Sequence, residues 1–566
     1  MHKPVWVCNT WPYSRHTIIF FASHSEVLPA QTNRPERPRA GSAVRRILLA
    51  LAAALLLLPA LGAPAQQPGS PFGAAVAHRY LIVFRNGTML SDATTGIAST
   101  GARLGVRLIQ VHQAAGVAVV QTSAGADDTA TIAALRAEPG VAFVVHDRIV
   151  SAHNLILHPV LPATIGVVAP PPPPPPPVAP TPYDTYYTDS PQGWAVVQAG
   201  GYGAGIHGGP SHGPWSVSLG AGVRIAVLDS GVDANHPDIA PNLGFNLSEI
   251  DQSPLTGLPS ACDDGSPQDQ QGHGTWTASL AAGAMGPGTG LVIGVAPAAT
   301  LLNIKVLERL PDPSSTAPDI ATQCSTGQAS GLLSWVLQGI DDAVAQHAQV
   351  ISLSLGTLVD LDTGEGAGLQ ASFDRVTYAA AQAGAVIIAS AGNDGVDLSN
   401  PRYLELPAQA RDVLAVVAST NPACAENLAA GATCVPGPPT LAYYSNFGAP
   451  LNAIAAPGGS YPTEGGAAVS GWVTGACSNG IANTVSGPPA DSAHSFGCFS
   501  LGHTQYLQAM GTSASAPLAA GAAALLIGAH PAWSPAQTIA ALHSSATTSS
   551  TLPAAPQLNP AGILTP

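Results

Sequence analysis

The stretch Gly511-Thr512-Ser513-Ala514-Ser515-Ala516-Pro517 opens an Ala/Leu-rich run that continues to about His530. Its small residues suit a turn that presents one serine, Ser513, at the start of a long helix. A serine hydroxyl is a weak nucleophile unless a neighbouring base takes its proton as it attacks. At a helix N-terminus it also meets unpaired backbone N–H groups and the positive end of the dipole, which favour a developing oxyanion. Such chemistry needs a base, a carboxylate to orient it and a second oxyanion donor, so the upstream sequence decides.

Three upstream segments supply candidates. Val223-Arg224-Ile225-Ala226-Val227-Leu228 is a short apolar run of the kind that fills a buried parallel strand. It ends in Asp229-Ser230-Gly231, placing a carboxylate at the edge where open α/β sheets locate their chemistry. Gly272-His273-Gly274-Thr275 runs into Trp276-Thr277-Ala278-Ser279-Leu280, a histidine at the start of a small-residue helix. The apolar run Ala385-Val386-Ile387-Ile388-Ala389-Ser390 ends in Ala391-Gly392-Asn393-Asp394 and brings a side-chain amide to the same edge.

The order Asp, His, Ser in these contexts resembles the subtilisin-like serine peptidases, the subtilase family. The resemblance rests on Val227-Leu228-Asp229-Ser230-Gly231-Val232, His273-Gly274-Thr275, Ala391-Gly392-Asn393 and Gly511 to Pro517. Weaker echoes are Gly294-Val295-Ala296-Pro297, Ser354-Leu355-Gly356 and Ala455-Ala456-Pro457-Gly458. It covers roughly residues 183–566 and implies an α/β catalytic domain with a doubly wound, mostly parallel sheet. The implied activity is that of a serine endopeptidase working through an acyl-enzyme. By resemblance, Ser513 attacks the scissile carbonyl and His273 moves its proton. Asp229 orients the imidazole, and Asn393 donates to the oxyanion. Ser354, Leu355 and Gly356 would pair with the substrate backbone as an added strand.

Aligning Leu406-Pro407 with the family's aromatic-proline pair places Glu405 at the floor of the first specificity pocket and Asp394 at its rim. Two carboxylates there favour Arg or Lys before the scissile bond. Catalysis of this kind needs no cofactor. Many relatives bind structural calcium, and Asp238 in His236-Pro237-Asp238 matches a ligand position. The following loop, Met285-Gly286-Pro287-Gly288-Thr289-Gly290, lacks the oxygen-bearing side chain expected beside it. Ala514 stands where the family usually carries methionine and Met510 where a small residue is usual; both read as packing changes.

Two rival classes compete with this reading. A secreted non-catalytic binding protein could keep the fold, although Asp229, His273, Asn393 and Ser513 are all intact. An α/β-hydrolase esterase needs Gly-x-Ser-x-Gly and the order Ser, acid, His. Here the nucleophile comes last and Ser515 replaces the second glycine.

Composition bounds the rest. Of 566 residues, 46% are hydrophobic and only 9% charged, with 60 Gly and 53 Pro, which excludes a charge-rich disordered chain. From Tyr183 onward there are 26 acidic and 6 basic residues, against 7 acidic and 13 basic before it. An acidic body disfavours nucleic acid and anionic membranes. Polypeptide substrates and a monomeric state are expected.

Arg45-Arg46 precede the apolar run Ile47 to Leu58 and the small-residue stretch ending Ala63-Pro64-Ala65. This is a secretory signal pattern with cleavage expected after Ala65. The apolar run is too short for a stable membrane span, so a secreted, extracellular or periplasmic product is expected. A compact signal peptide would begin near Val44. Setting aside Cys8 leaves Cys262, Cys324, Cys424, Cys434, Cys477 and Cys498, an even set suited to an oxidising compartment. Sequence neighbours suggest Cys262–Cys324, Cys424–Cys434 and Cys477–Cys498, one of fifteen pairings. Zinc is not indicated, because the chain has no Cys-x-x-Cys pair and no His-Glu-x-x-His helix.

Within residues 79–150, strand-like runs at Tyr80 to Phe84, Val106 to Val111, Gly116 to Val120 and Val141 to Val145 accompany a helical stretch, Thr129 to Ala137. The unit is similar to the ferredoxin-like pro-peptide of the same family, which implies an intramolecular inhibitor. Pro170 to Pro177 then form a stiff spacer, roughly 25 Å long at ~3.1 Å per residue. The expected organisation is a leader and signal peptide at 1–65 and a pro-peptide at 66–150. A Pro-rich linker at 151–182 and the peptidase domain at 183–566 follow, with maturation within 150–190. The insertion from about Gly458 to Gln508 reads as a disulfide-pinned surface loop.

Overall fold

Four strands and two helices form the N-terminal part of the computed structural model. The structure describes residues 73–123, 125–153, 193–199, 213–250, 260–286, 292–312, 315–325, 327–420, 439–460, 472–480, 485–486, 499–501, 504–552 and 555–564. The leader, signal peptide and polyproline segment lie outside the described residues, as do Cys424, Cys434, Cys498 and much of the Gly458–Gln508 insertion.

Strands β1 (Ala75–Phe84), β2 (Val106–His112), β3 (Val117–Thr122) and β4 (Val141–Ala152) pair antiparallel in the order β4-β1-β3-β2. Helix Leu90–Leu104 follows β1 and helix Asp128–Arg136 follows β3. The second helix starts cleanly because the Asp127 carboxylate accepts the Ala130 N–H. Alternation along the strands splits their side chains between two faces. Tyr80, Ile82, Ala118 and Val120 pack with Ile97 and Leu135 of the unit's own helices. Leu81, Val83, Val117 and Val119 join a larger core beyond the unit.

That larger core belongs to a mostly parallel sheet built from β5 (Arg224–Asp229), β6 (Leu243–Ser248), β7 (Thr300–Lys305), β10 (Val350–Leu353), β12 (Val386–Ser390), β14 (Val413–Thr420) and β16 (Ala453–Pro457). The order is β14-β12-β10-β5-β7-β6, with β16 parallel to β14 and the short β15 (Thr440–Leu441) antiparallel to it. Both faces are covered, which is why these strands read as continuous apolar runs rather than alternating ones. Ile225, Val227 and Ile388 face helices His273–Ala282 and Thr512–Ala529. Ala226, Leu228 and Ile351 face helices Leu333–Ala345 and Gly366–Gln382. The sheet is doubly wound, as the sequence implied. Thr512–Ala529 is long and apolar enough to cross a membrane, yet most of it is buried in this core.

Four further strands, β8 (Leu307–Arg309), β9 (Ala329–Leu332), β11 (Leu355–Asp360) and β13 (Tyr403–Leu406), project from the sheet edge. Strand β4 inserts among them. It pairs antiparallel with β11 through Ala152↔Leu355 and Ser151↔Gly356, and with β9 through Ile149↔Leu332, Val150↔Gly331 and Ser151↔Ser330. Ser151 and Ala152 thus continue the strand two residues past position 150. The strand continues because its backbone groups find partners on both sides. Nearby, buried Arg79 donates Nε–H to Asp147 (3.1 Å) and Nη2–H to Ser334 (2.9 Å).

Cys262 and Cys324 are joined, with Cα atoms 5.4 Å apart. Cys477 is also disulfide-bonded.

Candidate active site

Asp229 ends β5 and is fully buried. Its Oδ1 accepts His273 Nδ1–H at 2.7 Å and the Ser230 N–H at 2.7 Å, and its Oδ2 accepts the Thr277 hydroxyl at 3.0 Å. These contacts hold the imidazole with its proton on Nδ1 and leave Nε2 as a lone pair. Ser230 Oγ in turn accepts the Gly274 N–H at 2.9 Å and donates to Asp269 at 3.0 Å, tying the end of the strand to the start of the histidine helix.

Ser513 lies in the first turn of Thr512–Ala529 and is 1% exposed. Its hydroxyl donates to the carbonyl of His153 at 2.7 Å, with the Ser354 carbonyl at 3.3 Å. Ser354 Oγ donates to the Ser513 carbonyl at 3.0 Å. Asn393 Oδ1 accepts the N–H and hydroxyl of Thr512 at 2.9 and 2.8 Å, so its amide group must point the other way. There Nδ2–H donates to the same His153 carbonyl at 2.5 Å. The His153 N–H donates to the Ser354 carbonyl at 3.2 Å.

Glu405, at 0% exposure on β13, lies beside the His153 imidazole, with Oε1 3.0 Å from Nε2. Nδ1 of the same ring is 2.6 Å from Ser390 Oγ. Burial pushes Glu405 well above the usual carboxylate range, and the charge of Asp394 adds to this. Burial likewise takes the His153 imidazole down to about 4, against an opposing pull from Asp394. Asp394 itself is exposed, and its Oδ2 accepts Asn446 Nδ2–H at 3.1 Å.

Asp238 lies apart from this cluster. Its Oδ2 accepts the Val292 N–H at 3.2 Å and is 3.8 Å from His236 Nδ1. Calcium is held by six to eight oxygens. The loop residues 287–291 that precede Val292 and would complete such a site lie outside the described residues. Among the described residues no group of three potential metal-holding side chains occurs. Met510 and Ala514 are both buried in the core beneath the nucleophile turn. Ser515 turns away, donating to the carbonyls of Ala456 (2.9 Å) and Pro457 (3.2 Å).

Sequence reasoning had no role for His153 or Ser390, and none for Thr512 as the group that orients Asn393. His153 lies 237 residues from Ser390 and 252 from Glu405, a proximity that only the β4–β11 register creates.

The model of the subtilase peptidase family matches residues 220–559, and the chain belongs to that family. It is 33% identical to thermitase of Thermoactinomyces vulgaris over 224 residues, covering 39% of this chain and 62% of thermitase. It is 30% identical to subtilisin NAT of Bacillus subtilis subsp. natto over 330 residues, 58% of this chain and 61% of the relative. The chain thus spans a little under two thirds of the length of these relatives. The crystal structure of the epidermin leader peptide processing serine protease EpiP from Staphylococcus aureus shares the fold, with a TM-score of 0.55 and 18% identity. That match covers 86% of this chain and 97% of EpiP.

Proposed function

We propose that the chain is a serine endopeptidase, exported as a zymogen, that hydrolyses polypeptides through an acyl-enzyme. The observation that carries the proposal is the His153 carbonyl, which receives both Ser513 Oγ–H at 2.7 Å and Asn393 Nδ2–H at 2.5 Å. A peptide group of the chain itself lies on the nucleophile in the manner of a substrate. In the reaction, Ser513 Oγ bonds to the scissile carbonyl carbon while its proton passes to His273 Nε2. Asp229 stabilises the resulting imidazolium, and Asn393 with the Ser513 backbone N–H stabilises the oxyanion. The C–N bond breaks as His273 returns the proton to the leaving amine. Water then adds to the ester by the same route, releasing a carboxylate and restoring Ser513. No cofactor enters this chemistry.

Residues 73–153 serve as the pro-peptide and intramolecular inhibitor, because β4 fills the strand position a substrate would take beside Ser354, Leu355 and Gly356. The signal-like leader and the disulfides support secretion, and the mature enzyme is a monomer. Glu405, with Asp394 nearby, favours a basic residue before the scissile bond.

A fluorophosphonate probe tests the reading. Labelling of the matured full-length chain and its loss in Ser513→Ala are expected, with Asn393→Ala lowering kcat by about 10²- to 10³-fold. A matured wild-type chain that neither labels nor hydrolyses casein would leave the non-catalytic binding protein as the better reading.

A further inference from the structure

The pocket that receives the side chain before the scissile bond has a shape and polarity of its own. We propose that it selects histidine, through Glu405 and Ser390, and that the chain cuts itself between His153 and Asn154. The inference rests on the endopeptidase reading above.

Three observations carry it. The His153 side chain is buried and both ring nitrogens are met, Nδ1 by Ser390 Oγ at 2.6 Å and Nε2 by Glu405 Oε1 at 3.0 Å. Ser390 Oγ is also 3.3 Å from the Leu353 carbonyl. When its proton goes there, the oxygen accepts Nδ1–H, and a protonated Glu405 donates to Nε2. The same two partners also accept from an imidazolium beside a carboxylate. An imidazole therefore satisfies the pocket in either arrangement.

Two glycines leave the space that the ring and the carboxyl group occupy. A Cβ on Gly356 would lie 2.4 Å from His153 Nε2 and 2.4 Å from Glu405 Oε1. A Cβ on Gly392, whose φ is +99°, would lie 2.1 Å from Asn446 Nδ2 and 3.2 Å from Glu405 Oε2. The flat ring lies against bare backbone at Gly356, and the lack of a side chain at Gly392 leaves room for Asn446 and the Glu405 carboxyl group.

The depth of the pocket separates histidine from the longer basic side chains. Nε2 already reaches Glu405 within hydrogen-bond distance. The ammonium of a lysine lies one bond further along its side chain, and the terminal nitrogens of an arginine two. Either would have to fold back or displace a buried carboxyl group; lysine has no second nitrogen for Ser390, and the first nitrogen of arginine lies one bond further out than the Nδ1 that meets Ser390 here. An apolar side chain would leave Glu405 buried without this partner, a loss of hydrogen bonding that discriminates strongly between ligands. Histidine is thus the basic residue the pocket accommodates.

The bond cut in the zymogen follows from the seat of His153. Ser513 Oγ bonds to the His153 carbonyl carbon, the His153–Asn154 C–N bond breaks, and the Asn154 nitrogen leaves with the proton from His273. Water hydrolyses the ester and leaves a carboxylate on His153.

The test uses the full-length chain and peptides of sequence Ile-Val-Ser-Ala-X followed by a common leaving segment, with X as His, Arg, Lys, Phe or Ala. The expected results are a mature N-terminus at Asn154 and a kcat/KM for X = His at least ~10-fold above every other peptide. Glu405→Gln should shrink that ratio, as should Ser390→Ala. His153→Phe should slow maturation by a similar factor. Should the pocket variants fail to fold, the wild-type peptide ratios and the maturation site still decide. Equal or better turnover of the Phe, Arg or Lys peptide overturns the inference, as does a mature N-terminus elsewhere, when Ser513 is labelled by the probe. Absence of labelling strikes the endopeptidase reading instead.

Discussion

Replacing Gly356 with alanine puts the pocket under direct strain. The new Cβ would stand 2.4 Å from Glu405 Oε1, 2.4 Å from His153 Nε2 and 2.5 Å from its Cε1, where real Cβ contacts essentially never fall below 3.0 Å. Relief requires a shift of roughly 1 Å, because ordinary contacts lie at 3.4–4 Å. The backbone cannot give it easily. Gly356 is paired with Ser151, and Glu405 is paired with Leu358 on the same β11. The ring is the movable part, and expelling it forfeits its bonds to Ser390 and Glu405. Two buried hydrogen bonds at ~1 kcal/mol each amount to about 2 kcal/mol, or ~30-fold in kcat/KM for a peptide with histidine before the cut. A matched peptide with alanine there has no ring to expel and should lose much less. Steady-state kinetics on the two peptides measure the ratio. If Gly356→Ala slowed both equally, or left the histidine peptide within twofold of wild type, the description of the pocket would be wrong.

Two other perturbations address separate parts of the molecule. Ser515→Ala removes a buried hydroxyl from the Ala456 and Pro457 carbonyls, so melting should fall by the equivalent of about 1 kcal/mol while Ser513 still takes the probe. Loss of labelling would mean that the two serines had been confused. The second perturbation is pH acting on the contact between residues 73–153 and the helix Gly366–Gln382. His146 Nδ1 lies 2.7 Å from Glu365 Oε1 and Arg148 donates to Oε2 at 2.7 Å; Asp128 also faces the imidazole, at 3.6 Å. The Glu365 hydrogen bond raises the His146 pKa, so its contribution is complete below the ordinary 6.5 and is lost as pH rises through the raised value. Burial pushes Glu365 up, but the His146 and Arg148 contacts hold it down to about 2, so its share is present above the ordinary 4.5 and lost as pH falls towards 2. Docking should be firmest between these two ordinary values. Hydrogen exchange of β4 in Ser513→Ala, with His146→Gln as control, measures it. Equal protection at pH 5.5 and pH 8.5 in the unmodified contact would refute the linkage.

The peptidase sheet was legible because doubly covered strands are continuous apolar runs, and because polar residues interrupt them where chain reversals bring chemistry to one edge. Asp229, His273 and Asn393 each follow such a boundary. The helix Leu90–Leu104 was not foreseen. Its buried large residues are sparse, with Ile97 the clearest, among Thr, Ser and Gly that depress helix propensity, and tertiary packing against β2 supplies what local preference lacks. The end of β4 carries little local signal for a related reason. Ser151 and Ala152 have no strong strand preference, and their conformation is set by partners on β9 and β11 far along the chain. Glu405 could be found from its neighbouring proline, but a lone histidine at a strand end carries no local mark of what it will meet.

Strand β4 lies between β9 and β11 while still joined to the chain that carries Ser513. As long as the join is intact, occupation of the cleft is a first-order matter, set by an effective concentration that no external peptide readily matches and that dilution does not change. Once the bond after His153 is broken, the two pieces obey an ordinary bimolecular equilibrium. If the chain is the exported zymogen proposed above, the same contacts that hold in the crowded precursor would then let go in a large volume, so dilution becomes part of what switches it on.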